Sequence, residues 1–258
     1  MRNLSLFVMC IILITSCQED KEEYNVSNYY DLNKPSPVLL AHYTLDNEAS
    51  DHSESNNDGQ IFKAVGTTDR NGIENGALEF NGDDSKVICT RQIDDQLSEG
   101  ATFSAWIRYS GTQHGRVISN YNGQAAGYNC EQRVGFVFGV TFDKKLIMFY
   151  AVDSDDYVGK TTKQNVISEN EWTHVLGMWN GKFAPEGFRL YVDGERVDYH
   201  DKESGEVSCG FHQSVNPFYI GMGHCIDGEC WPFKGKIDDV RIYSYALDTT
   251  YINQLANK

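Results

Sequence analysis

Along most of the chain the apolar positions recur with the two-residue period of strands rather than the 3.6-residue period of helices. Phe103-Ser104-Ala105-Trp106-Ile107 alternates and then meets Ser110-Gly111, which predicts a strand and a turn. Val134 to Val140 is apolar with small residues, meets Asp143-Lys144-Lys145, and resumes as Leu146-Ile147-Met148-Phe149-Tyr150, which predicts a hairpin. Phe188 to Val192 is followed by Asp193-Gly194 and then Glu195-Arg196-Val197; Asp-Gly between alternating runs is a strong hairpin signal. Phe218 to Gly221 and Ile237 to Tyr243 predict two further strands. Helical spacing is confined to residues 248 to 256, with Asp248 as the cap. Many short strands separated by turns predict an all-β sandwich or jelly roll, and no long linker divides residues 38–258.

The first 17 residues break this pattern. Arg2 gives a short positive region, and the stretch from Leu4 to Ile14 is apolar but too short to span a bilayer. Ile14-Thr15-Ser16-Cys17 resembles a bacterial lipobox. That resemblance implies that Cys17 is diacylated, becomes the first residue of the mature chain and anchors it to a membrane, each buried methylene contributing about 0.8 kcal/mol. The acidic run QEDKEE at 18–23 resembles the signal with which Bacteroidetes-type bacteria place lipoproteins on the outer face of the outer membrane. Residues 18–37 then read as a polar tether and 38–258 as the domain.

The chain has 22 basic and 37 acidic residues, a formal charge of −15, which argues against nucleic acid or anionic lipid as a partner. Beyond the leader, five cysteines are left: Cys89, Cys130, Cys209, Cys225 and Cys230. The odd number leaves at least one thiol outside any internal pairing. Cys209 with Cys225 or Cys230 is the expected disulfide, since they bracket one loop region. A zinc site using Cys225, Cys230 and His224 or His212 is the alternative.

Several segments resemble the laminin-G-like, concanavalin A-like jelly rolls. These are Ala41-His42-Tyr43-Thr44-Leu45-Asp46 with Asn57-Asp58-Gly59, Gly76 to Gly82, FSAWI at 103–107, EWTHV at 171–175, RLYVDGERV at 189–197 and GKIDDVRIYSYAL at 235–247. The resemblance implies two antiparallel sheets, one concave, with the terminal strands side by side. It also implies a structural calcium where those strands meet, held by Asp46 and Asp239. Asp238 is the alternative to Asp239, and Asn57 or Asp58 would add an oxygen. Relatives bind carbohydrate, protein or calcium, so the fold does not fix the function.

Catalysis of glycan cleavage would need two carboxyl groups about 5 Å or about 6.5–9.5 Å apart. No Glu-x-Asp-x-Glu run occurs in residues 38–258, and adjacent Asp238 and Asp239 are expected on opposite faces of a strand. The expectation is therefore a non-enzyme. Sugar binding instead needs flat side chains to stack on, with polar groups to orient the ring. Trp106, Trp172 and Trp179 fall at positions expected to be structural. Trp231, beside Cys230, either forms a platform or covers the edge of the core. The polar stretch from His114 to Arg133 adds Arg116, Tyr121, Tyr128 and Arg133 as ligand candidates, and Tyr150, Asp153 and Tyr157 are candidates for a concave-face site. The leading expectation is a surface lipoprotein that captures a glycan. The alternatives are a protein-docking subunit of a TonB-dependent uptake complex and a glycan-cleaving enzyme.

Overall fold

A computed structural model of the chain describes residues 36–121, 134–152, 157–198, 202–205, 207, 210–223 and 230–257. The strands in chain order are β1 (Leu39–Tyr43), β2 (Gly59–Phe62), β3 (Val65–Thr67), β4 (Ala77–Asn81) and β5 (Lys86–Cys89). Then come β6 (Ala101–Tyr109), β7 (Gly115–Ser119), β8 (Gly135–Val140), β9 (Leu146–Ala151) and β10 (Tyr157–Thr161). β11 (Trp172–Trp179), β12 (Phe188–Val192), β13 (Glu195–Arg196), β14 (Lys202–Ser204), β15 (Tyr219–Ile220) and β16 (Lys234–Ser244) complete the set, followed by helix α1 (Thr249–Ala256).

The described strands form two antiparallel sheets of eight. The first runs β13-β12-β11-β6-β16-β4-β3, with β1 also on β16; the second runs β14-β10-β9-β8-β7-β15-β5-β2. This is the all-β, two-sheet jelly-roll architecture expected from the alternating pattern. The 134–150 hairpin forms as β8 and β9, Val140 opposite Leu146. The Asp-Gly hairpin forms as β12 and β13, with Asp193 and Gly194 at φ 48° and 82°, the left-handed pair that a two-residue loop requires. The two ends of the domain meet in one ladder, His42 of β1 opposite Arg241 of β16.

Alternation sends one side of each strand into the space between the sheets. From β6 come Phe103, Ala105 and Ile107; from β8, Phe136 and Phe138; from β11, Trp179. Their rings interlock, Phe103–Phe136 at 5.4 Å and Phe136–Trp179 at 5.6 Å between centroids. Burial of each such ring contributes roughly 2–3 kcal/mol. Gly221, at φ 80°, lets the Phe80 ring approach to 2.2 Å of where a Cβ would stand, so no larger residue fits there.

Two side chains depart from expectation. Tyr150 belongs to this core, fully buried, its hydroxyl donating to His212 O at 2.9 Å, because it shares the parity of Met148 and Leu146. It therefore takes no part in a site on the outer face of the second sheet. Trp106 points the other way, out of the first sheet, since Phe103, Ala105 and Ile107 hold the inward positions. Beyond that sheet, α1 lays Ile252 and Leu255 on Leu176, Met178, Tyr191 and Tyr243. Asp248 caps it as expected, accepting from Tyr251 N at 2.8 Å.

Candidate functional site

The inward parity of β7 to β10 leaves the opposite set of side chains on the outer face of the second sheet. Register places Tyr219, Ser119, Val137 and Phe149 in one cross-strand row that ends on Gly159 of β10. Tyr121 lies with its ring 6.1 Å from Phe149, and Tyr157 with its ring 5.9 Å away on the other side. Gly159 leaves the Phe149 ring without a side chain in the neighbouring strand; a Cβ there would stand 2.4 Å from Phe149 Cβ. Tyr157 is 38% exposed, the most open member of the group.

Arg116 of β7, opposite Gly139 of β8, adds a cation beside this row. Its guanidinium carbon lies 4.9 Å from the Trp231 ring centroid and 5.5 Å from that of Phe149. Strand and loop are tied at this point, because Arg116 N donates to Trp231 O at 3.0 Å. Trp231 has φ 45°, a left-handed conformation costly for a bulky residue and one that persists only where the surroundings impose it. Cys230 beside it is disulfide-bonded. Burial pushes the Arg116 pKa down to about 10, so it stays charged at neutral pH. The result is a line of ring faces around one cation, which can stack a flat ring and donate hydrogen bonds beside it.

Of the ligand residues expected from sequence, the structure thus brings Trp231, Tyr121 and Arg116 together with Tyr157. Tyr128, Arg133 and Asp153 lie outside the described residues, as does Cys17. So do Cys209 and Cys225, and with them the pairing of Cys230; Cys89 is free and buried. Asn120, from the same polar stretch, faces the interior and holds the backbone, its Oδ1 accepting from Phe136 N at 2.8 Å. Phe149 was not singled out by sequence. The signal was the alternation of Leu146 to Tyr150, which makes Phe149 the outward partner of whichever residue is core.

The expected metal ligands sit elsewhere, on the outer face of the first sheet. Adjacent Asp238 and Asp239 do not point to opposite faces. A bulge between Asp238 and Arg241, with Asp239 at φ 50°, turns both outward. Arg70 pairs with Asp238 and reaches Asp239 at 3.7 Å; Asp239 also meets Arg241 at 2.7 Å and His42 at 2.9 Å. Burial opposes ionisation of Asp239, yet His42, Arg241 and Arg70 together hold it below the usual carboxylate range. Burial and the neighbouring Asp239 outweigh Arg70 at Asp238 and push it up to about 7. Asp46 is exposed at the surface. Asn57 is buried, its Oδ1 accepting from Arg91 N at 2.6 Å, and Asp58 accepts from Asp51 N at 2.9 Å. Among the described residues no three His, Cys, Asp or Glu side chains gather as a metal site. The two carboxylates that do meet are occupied by the protein's own cations.

Comparison with known proteins bears on the same fold. A family model described as the concanavalin A-like lectin/glucanases superfamily matches residues 81–253. No curated protein matches. Among solved structures, domain 4 of an extracellular arabinanase from Geobacillus stearothermophilus, in complex with arabinotriose, is 21% identical at TM-score 0.61. The match covers 86% of this chain and 100% of that one. A Trypanosoma rangeli sialidase is 15% identical at TM-score 0.58, covering 84% of this chain and 32% of its own. A botulinum neurotoxin type C structure, described as dependent on two ganglioside molecules for cell entry, is 17% identical at TM-score 0.55. There the match covers 86% of this chain and 51% of the toxin chain.

Proposed function

Because the chain belongs to the concanavalin A-like lectin/glucanases superfamily, we propose that the outer face of its second sheet binds carbohydrate and that the protein captures a glycan without cleaving it. The observation that carries this reading is the line Trp231, Arg116, Phe149 and Tyr157, with ring-to-ring and ring-to-cation distances between 4.9 and 5.9 Å. Sugar rings stack on such faces, and the exposed ring of Tyr157 gives access to it. The solved arabinanase domain holding arabinotriose is in keeping with a sugar ligand on this fold. Capture rather than cleavage is supported by the place of the carboxylate pair Asp238 and Asp239. Asp238 and Asp239 are buried on the opposite side of the sandwich and bound to arginines. The lipid on Cys17 would hold this module at the outer surface of a membrane, raising the local ligand concentration for neighbouring uptake proteins.

The test is a glycan array probed with the full chain in detergent, wild type against Tyr157→Ala and Phe149→Ala. Each variant should lose about 3- to 10-fold in affinity, the scale of one stacking contact. A normally folded wild type that binds nothing across the array sinks the reading; unchanged binding in both variants moves the site off this face. Release of reducing ends from any polysaccharide would make the protein an enzyme instead. Cys17→Ser should shift the protein from the membrane to the soluble fraction. Calcium bound through Asp46 and the closing strand is a separate proposal. It predicts a melting midpoint that rises with added calcium and falls with chelator, and an unchanged midpoint rejects it.

A further inference from the structure

Arg116 is only 7% exposed. Four other enclosed cations of the domain have anions: Lys160 meets Asp198 at 3.2 Å, Arg241 meets Asp239 at 2.7 Å, and Arg70 and Arg196 pair with Asp238 and Asp198. Arg116 has none among the described residues. Its guanidinium lies over the faces of Trp231 and Phe149 and feels the Tyr121 hydroxyl only electrostatically, with no ion pair or hydrogen bond to a described residue. Enclosing a charge without a partner is unfavourable, and ring faces compensate for only part of that. They also leave the N–H donors uncommitted.

The surroundings hold the side chain ready. Gly223 packs along its shaft, where an added Cβ would lie 3.2 Å from Arg116 Cγ. Gly139, opposite Arg116 on β8, has no side chain to fill the space beside it, and a Cβ there would meet Gly115 O at 2.4 Å. The strand backbone is tied to the Trp231 loop through Arg116 N.

We infer that the glycan bound on this face carries a carboxylate, an acidic sugar whose carboxyl group pairs with Arg116 while its ring, or its neighbour's, stacks on Phe149 and Tyr157. This rests on the sugar-binding reading above and narrows its ligand. A planar carboxylate matches the two-pronged donor set of a guanidinium, which is why arginine serves such pairs. The net charge of −15 limits the ligand further. A polyanion would be repelled over the whole surface, so the carboxylate belongs to a mainly neutral glycan with sparse acidic residues.

The experiment offers the full chain oligosaccharides in matched sets. Each set contains one member with a single uronic acid residue, the same compound with that carboxyl reduced to the alcohol, and the same backbone with a sulfate ester instead. The expected result is affinity for the uronic acid member about 10-fold or more above the reduced one, the scale of one charge-assisted hydrogen-bonded pair. Arg116→Gln should abolish that preference, Arg116→Lys should keep part of it, and Phe149→Ala should weaken both members alike. The lysine variant retains the cation should the glutamine variant fail to fold. Equal binding of acid and alcohol overturns the carboxylate and leaves the sugar platform standing. Preference for the sulfate overturns the carboxylate in favour of another anion. Binding of no member, by a protein that melts cooperatively, overturns the platform itself.

Discussion

His174 lies buried with Nε2 2.9 Å from Ser104 Oγ, and burial pushes its pKa from the ordinary 6.5 down to about 4. Its neutral form is thus favoured by folding. That stability is complete above about pH 6.5 and is lost as pH falls through 4, where the folded protein must accept a buried charge. Asp94 runs the other way. Burial raises it from 3.8 to about 7, and its Oδ2 has no hydrogen-bond partner among the described residues. Here the folded state holds the proton, so the stability is present below about pH 3.8 and lost as pH rises through 7. Asp94→Asn should therefore raise stability at pH 8, by on the order of 2 kcal/mol, with little change at pH 4. His174→Gln should flatten the loss of melting midpoint between pH 6.5 and 4 that the wild type shows. Melting curves across pH for the three proteins separate the two slopes; a parallel displacement of all curves would show that neither group titrates on unfolding.

At the scale of elements, β16 is the piece that joins the first sheet, pairing with β1, β4 and β6. Its bulge spends one residue, Asp239, in the left-handed region and so gathers two acids beside Arg70 and Arg241 instead of splitting them between faces. Arg70→Ala would leave buried carboxylates short of a cation and should cost about 3–5 kcal/mol, read from chemical denaturation. Helix α1, by contrast, has an exposed cap: Asp248→Ala should cost about 1 kcal/mol and leave the sheets intact by far-ultraviolet spectrum. Much of this scale was legible beforehand. The Asp193-Gly194 turn, the 134–150 hairpin and the Asp248 cap follow from local chemistry, which acts within a few residues. The bulge was not legible, because nothing local to Asp238-Asp239 says that Arg70, 168 residues away, waits on one side.

On the proposed reading the two outer faces of the molecule serve different tasks. One is closed by α1 and the arginine–aspartate cluster; the other presents the rings around Arg116. Changes on the two faces should therefore separate. Arg70→Ala should lower the melting midpoint and leave glycan affinity of the folded fraction unchanged, while Tyr157→Ala should do the reverse. Calorimetric melting and a binding titration on the same samples check this, and a loss of both properties in either variant would contradict it. The sequence by itself determined the strand periodicity, the turns, the sandwich class and the aromatic and arginine residues available for a site. It did so because alternation and turn chemistry are local. Which alternate face is inward was decided only in three dimensions. Tyr150 went to the core and Phe149 to the surface because β9 packs against β11 and β12 through Met148 and Tyr150, a choice set by shape and volume across the sandwich. The pairing of Asp238 and Asp239 with arginines, and the absence of such a partner for Arg116 among the described residues, likewise depend on which distant strands and loops the fold brings together.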